Sequence, residues 1–137
     1  MNEKTLEECI FCKIVTGEIP SNKVYEDENF VAFLDRNPLN PGHTLLIPKR
    51  HFVWVNDYEP FGEYWEVARK LSKKISLVLN PIVVSYVVYG LGVLHAHIHL
   101  IPKFEGDQHP KGPNPENTIA YKPGEAEEIV KKITSML

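Results

Sequence analysis

The run His95-Ala96-His97-Ile98-His99-Leu100 alternates an imidazole with an apolar side chain at every step. A helix would scatter that pattern around its axis, whereas an extended strand sends successive side chains to opposite faces. The run therefore predicts a strand, drawn here over residues 93–102. Ala96, Ile98 and Leu100 should pack into a core, and His95, His97 and His99 should share the opposite face, spaced by roughly 6.6 Å. Isolated imidazoles on a half-buried strand are ordinary polar positions. Three in register would repel one another when protonated, which points to chemistry rather than solvation.

The rest of the chain supplies partners for this strand. Ile10–Thr16 reads as a short helix stopped by Gly17. Lys23–Glu26 and Phe30–Leu34 read as strands around the turn Asp27-Glu28-Asn29, and residues 43–47 as a third strand ended by Pro48. Residues 35–42 hold Pro38 and Pro41 with Asn37 and Asn40, so they form a loop. Phe61, Trp65, Ala68, Leu71, Ile75 and Val78 or Leu79 recur in steps of three and four, the stripe of a long amphipathic helix over Phe61–Leu79. Residues 82–89 are rich in β-branched side chains and read as a buried strand, broken by Gly90-Leu91-Gly92. Residues 106–124 carry four prolines and read as loop. Residues 125–137 read as a closing helix, with Glu125, Glu127 and Glu128 first and Lys131 and Lys132 last, the order favoured by the helix dipole. The expected class is α+β, an antiparallel sheet of about five strands with two to three helices.

A chain of 137 residues fits one domain with a real core. The net charge of −3 comes with no basic stripe, which argues against long nucleic acids. Residues 1–8 are charged and carry no apolar core, so they do not resemble a secretory signal. Residues 82–94 fall short of the roughly 18–20 apolar residues of a membrane span. The expected location is the cytoplasm. In a reducing compartment Cys9 and Cys12, spaced C-x-x-C, would serve metal binding or redox work rather than a structural disulfide.

Two chemistries suit the histidine run. Imidazole is a common metal ligand and also a nucleophile near neutral pH. A histidine that attacks phosphorus needs one ring nitrogen free and the other tied to an acceptor. It also needs donors where charge develops. His43, opening another strand after Pro41-Gly42, reads by itself as an ordinary satisfied histidine. Gly42 before it suggests a close backbone approach.

The segments Asn37-Pro38-Leu39-Asn40-Pro41-Gly42-His43-Thr44-Leu45-Leu46-Ile47-Pro48-Lys49-Arg50-His51 and His95-Ala96-His97-Ile98-His99-Leu100-Ile101-Pro102 together resemble the histidine triad (HIT) family. So does Cys9-Ile10-Phe11-Cys12 through Pro20. The resemblance spans residues 9–103 in order and is loose over 104–137, which implies a single HIT domain over 1–137. It implies the HIT-like fold, usually as a homodimer. It makes His97 the nucleophile, forming a transient nucleotidyl-histidine that water cleaves, with His99 at the α-phosphate and His43 positioning both. It assigns Asp35 to the ribose hydroxyls, and Ile10, Phe11, Ile14 and Phe33 to the wall around a purine base. The implied substrates are nucleoside phosphoramidates, aminoacyl adenylates or dinucleoside polyphosphates. Without the family, Asp35 is a loop acid and the four apolar residues are core.

Some HIT relatives hold structural zinc through two cysteines, a histidine after the Ile-Pro-Lys segment and the first triad histidine. Cys9, Cys12, His51 and His95 match that set, and four sulfur and nitrogen ligands suit a closed tetrahedral site. A redox pair or two idle thiols are the competing readings. The chain also departs from the family. Leu91 stands where a glutamine is usual and Gly92 where serine or threonine is common, and Lys103 replaces arginine. Loss of those donors motivates a second class of function, a zinc-stabilised nucleotide-binding module with little turnover. A third class is a metalloenzyme that uses the three histidines as ligands of a catalytic ion. Gly90-Leu91-Gly92 is not a dinucleotide loop, since His95 replaces the third glycine and no helix follows.

Overall fold

Strict alternation organises the sheet. Residues that face one way along Phe30–Leu34 (β2) enter one apolar cluster, and their neighbours enter another. Phe30, Ala32 and Leu34 join Leu46, Ala96, Ile98 and Leu100. Val31 and Phe33 join Leu45, Ile47, Phe11 and Ile14. The sheet is thus apolar on both faces, and both must be covered. The computed structural model, which describes residues 8–135, shows how.

The helix Ile10–Thr16 (α1) covers one face. Cys9 caps its start, its Sγ accepting the Cys12 amide at 3.3 Å, and Gly17 ends it in the left-handed conformation. The opposite face is covered by Phe61–Leu79 (α2) and Glu125–Thr134 (α3), the latter through Ala126, Ile129 and Ile133. Between them lies the antiparallel sheet, in the order β1-β2-β3-β5-β4, built from Lys23–Glu26 (β1), β2, Thr44–Pro48 (β3), Val83–Val87 (β4) and Ile98–Lys103 (β5). This is the expected α+β class, with five strands and three helices among the described residues.

Several expectations are corrected. The strand expected over 93–102 begins only at Ile98, so His95 and His97 lie in the bent approach to β5, where Ala96 N–H donates to Phe52 C=O at 2.6 Å. The alternation survives without a sheet partner, because Ala96 and Ile98 are pinned in the core. β4 is not buried: it forms a sheet edge and leaves Val83 and Tyr86 exposed. β-branched composition signals a strand, not its coverage. On α2 the buried stripe is Tyr64, Ala68, Leu71 and Ile75, while Phe61 is exposed and Trp65 half-buried. Tyr64 goes inside because its hydroxyl finds an acceptor, donating to Leu46 C=O at 2.9 Å. A short 3-10 turn, Val55–Asp57, was not foreseen. The proline-rich stretch after β5 is loop, as expected, and is heavily hydrogen-bonded. Residues 1–7 of the charged N-terminal stretch and the last two residues of the expected closing helix lie outside the described residues. Among those described, no helix is long and apolar enough to cross a membrane.

Candidate active site and metal centre

A cleft of about 820 Å³ opens between α1, the end of β2 and the approach to β5. Its size is that of a nucleotide-scale ligand site. Every residue expected to meet a nucleotide lines it: Ile10, Phe11, Ile14, Phe33 and Asp35, together with His43, His97 and His99. Phe11, Ile14 and Phe33 are simultaneously core, and only Ile10 is substantially exposed. The lining of the cleft and the core are one layer here. Asp35 accepts the Asn37 amide at 2.9 Å, and its other oxygen lies 3.5 Å from His43 Nε2. Burial pushes its carboxyl up, opposed by the Asn37 amide and by His99 and His97.

The hydrogen-bond network assigns the ring tautomers. His97 donates Nδ1–H to the carbonyl of His95 at 2.7 Å, so the lone pair of the neutral ring lies on Nε2. The Phe11 ring stands edge-on to the His97 ring at 5.2 Å and holds its plane. His43 Nδ1 accepts the Leu39 amide at 3.0 Å, so its proton sits on Nε2 and is donated to His99 Nδ1 at 2.9 Å. His99 then carries its own proton on Nε2. Burial drives both rings toward the neutral form, pushing His43 and His99 from 6.5 down to about 4. Gly42, at φ +87, makes the tight turn before His43, and a Cβ there would run into Leu79 and press on Pro102.

The four expected metal ligands also come together. Cys9 Sγ, Cys12 Sγ and one nitrogen each of His51 and His95 lie within 4.8 Å of one another. His95 donates Nε2–H to Pro48 C=O at 2.8 Å, so Nδ1 presents a lone pair to the sulfurs. That nitrogen lies 3.3 Å from Cys9 Sγ and 3.5 Å from Cys12 Sγ, and His51 Nδ1 lies 3.1 Å from Cys12 Sγ. Sulfur and nitrogen around tetrahedral zinc are about 3.6 Å apart, so the donor set and spacing fit. Burial and the neighbouring Cys9 thiol push the Cys12 thiol up to about 12. A bound cation would reverse that preference. His51 Nε2 is buried without a protein partner.

Asp35, His43 and His99 form a second cluster of potential ligand atoms, but it does not fit a metal. The Leu39 amide holds the proton of His43 on Nε2, the atom that would have to bind. The triad rings do not converge on one point either: His95 turns to the cysteines, whereas His97 and His99 sit in the cleft, their ring centroids 5.1 Å apart. This removes the support for a catalytic ion held by the three histidines.

Residues not anticipated also build the site. Tyr89 stands edge-on to His99 at 5.0 Å. Tyr121 lines the cleft and accepts the Gly42 amide at 3.0 Å through its hydroxyl. Asn40 N–H₂ donates to Pro102 C=O and to Asp107, and the buried His109 donates to Leu39 C=O. Nothing in their local sequence marks them; they matter through contacts made across the fold.

Comparison with known proteins agrees with this geometry. The HIT domain model matches residues 16–106. An uncharacterized HIT-like protein of Methanocaldococcus jannaschii is 42% identical over 106 residues, covering 72% of this chain and 81% of the relative. A protein of Arabidopsis thaliana named an adenylylsulfatase is 36% identical over 112 residues, covering 73% of this chain and 54% of that one. Among solved structures, a hypothetical histidine triad nucleotide-binding protein from Sulfolobus tokodaii superposes with a TM-score of 0.79 at 29% identity, over 93% of this chain and 90% of the other. A zinc-bound histidine triad protein from Mycobacterium smegmatis superposes with a TM-score of 0.78 at 28% identity, over 95% and 93%. With the sheet in place and His97 and His99 at the cleft, the chain belongs to the HIT domain family.

Proposed function

We propose that the chain is a nucleotide hydrolase or nucleotidyl transferase in which His97 attacks the α-phosphate of a purine nucleotide. The observation that carries this reading is the bond from His97 Nδ1–H to His95 C=O at 2.7 Å, which leaves Nε2 as a free lone pair on a ring lining the cleft. His97 Nε2 forms the bond to phosphorus. The bond from phosphorus to the leaving group breaks, and the leaving group departs with its electron pair and takes up a proton. Water then attacks phosphorus and gives its proton to solvent, and His97 Nε2 recovers its electron pair. His99, protonated on Nε2, donates to a phosphate oxygen, and His43 keeps it in that tautomer. Asp35 accepts from the ribose hydroxyls, and the base lies against Ile10, Phe11, Ile14 and Phe33. Phosphoramidates, aminoacyl adenylates and dinucleoside polyphosphates remain the substrate classes to compare.

Cys9, Cys12, His51 and His95 would hold zinc, a closed structural site that ties α1 and the end of β3 to the triad segment. The exposed apolar side chains around β4, among them Ile82, Val83, Tyr86 and Trp54, support a homodimer. A cytoplasmic location suits free thiols at Cys9 and Cys12.

The test is AMP release without added metal from an adenosine phosphoramidate and a diadenosine polyphosphate, comparing the protein with His97→Asn. Turnover by the first and a loss of roughly 10⁴-fold or more in the variant support the reading. One observation favours a second reading: Leu91 and Gly92 line the cleft and offer no side-chain donor. If neither protein releases AMP, yet AMP raises the Tm of both, the chain is a binding module.

A further inference from the structure

The proline-rich stretch after β5 packs on the turn that carries His43. Asp107 lies there with its side chain only 5% exposed. One carboxylate oxygen accepts from Asn40 Nδ2 at 2.8 Å and from the Phe104 amide at 3.0 Å. The other accepts from the His109 amide at 2.9 Å and from Lys103 Nζ. Burial works against the charge, but these donors outweigh it and hold the carboxyl well below the usual range. The negative charge is neutralised locally by Lys103, so Asp107 acts on its surroundings through geometry rather than through a long-range field.

That geometry leads to His43 by two routes. Asn40, held by Asp107 and by Pro102 C=O at 2.9 Å, accepts the His43 amide on its own carbonyl at 3.1 Å. His109, whose amide is bound by Asp107, donates Nε2–H to Leu39 C=O at 2.9 Å. The Leu39 amide in turn fixes the proton of His43 on Nε2. Both the backbone of His43 and its ring tautomer are therefore set by residues that Asp107 holds in place.

We infer that Asp107, acting through Asn40 and His109, is a positioning residue that sets the orientation and tautomer of His43. A buried carboxylate paired only for stability would be replaceable by apolar packing, whereas one that fixes a register is not. The inference rests on the proposed role of His43, but its main readout does not need turnover.

The test compares Asp107→Asn, Asn40→Ala and, as a matched control, Ile133→Val in the core beneath α3. Four quantities are measured on the full chain: the ¹⁵N–¹H tautomer pattern of His43, kcat and KM for AMP release, and Tm. Both site variants should move His43 away from the Nε2–H form and lower kcat on the order of tenfold to hundredfold, with KM changed less than about threefold. Ile133→Val should lower Tm and leave the His43 pattern and kcat as they were. Should Asp107→Asn fail to fold, Asn40→Ala carries the test, because it leaves the Lys103–Asp107 pair intact. An unchanged His43 tautomer in the folded variants would overturn the inference. A wild-type protein without turnover would overturn the proposed enzyme and leave the tautomer result to decide this one.

Discussion

The carbonyl oxygen of His95 accepts His97 Nδ1–H at 2.7 Å, while the ring of His95 turns its own Nδ1 to 3.3 Å from Cys9 Sγ. One residue thus faces two sites, with its backbone orienting the proposed nucleophile and its side chain offered to a metal. Whatever steadies the ring of His95 steadies the acceptor of His97 two residues on.

Cys9→Ser should therefore affect both sites. The wild type should carry near one equivalent of zinc per chain, the variant should carry less, and stability should drop by more than about 2 kcal/mol. kcat should fall with it, although Cys9 does not line the cleft. Metal analysis, thermal melts and AMP release check the three together. A variant that loses zinc yet keeps full kcat would uncouple the centres.

The buried imidazoles set the acid limit of stability. His43 and His99 are pushed down to about 4, chiefly by burial, with His109 adding at His43 and His43 and His97 adding at His99. Between pH 6.5 and 4 the unfolded chain therefore binds protons that the folded chain refuses. Their stabilisation is complete above pH 6.5 and is lost as pH falls toward 4, by up to about 1.4 kcal/mol per pH unit for each group. Tm measured against pH should be flat above neutrality and fall through that window. His99→Asn should reduce the slope, and a Tm that stays level from pH 6.5 to 4 would mean that the rings are not held neutral.

Leu91 lines the cleft and is 77% exposed, so a longer polar side chain can replace it without a packing cost. Leu91→Gln adds a donor beside the triad. It should raise kcat by roughly tenfold or more if that donor meets developing charge on the phosphate or leaving group. Steady-state rates with two leaving groups check this, and equal rates for both proteins would show that Leu91 lies outside the reacting centre.

Ile98 is fully buried and pairs with Leu46 across β3 and β5. Ile98→Ala should cost about 2–5 kcal/mol by denaturant unfolding. It should also loosen His97 and His99, its neighbours on the other face, so kcat should fall at temperatures where the protein is still folded.

Much of this protein was legible along the chain. Alternation between imidazole and apolar side chains in residues 95–100 separated the histidines from the core positions Ala96, Ile98 and Leu100, and the period of α2 decided that a helix covers the sheet. Resemblance carried by the two histidine segments and the C-x-x-C run led to the family and to the residues of both candidate sites. Only the tertiary structure decided the tautomers, because these depend on acceptors and donors far away in sequence, such as Pro48 for His95 and Leu39 for His43. It alone placed β4 at the sheet edge and Tyr64 inside, since periodicity reports a face but not what covers it. It also made Asp107 significant: a single acid in a proline-rich loop has no local signature, and its meaning lies in Asn40, sixty-seven residues away.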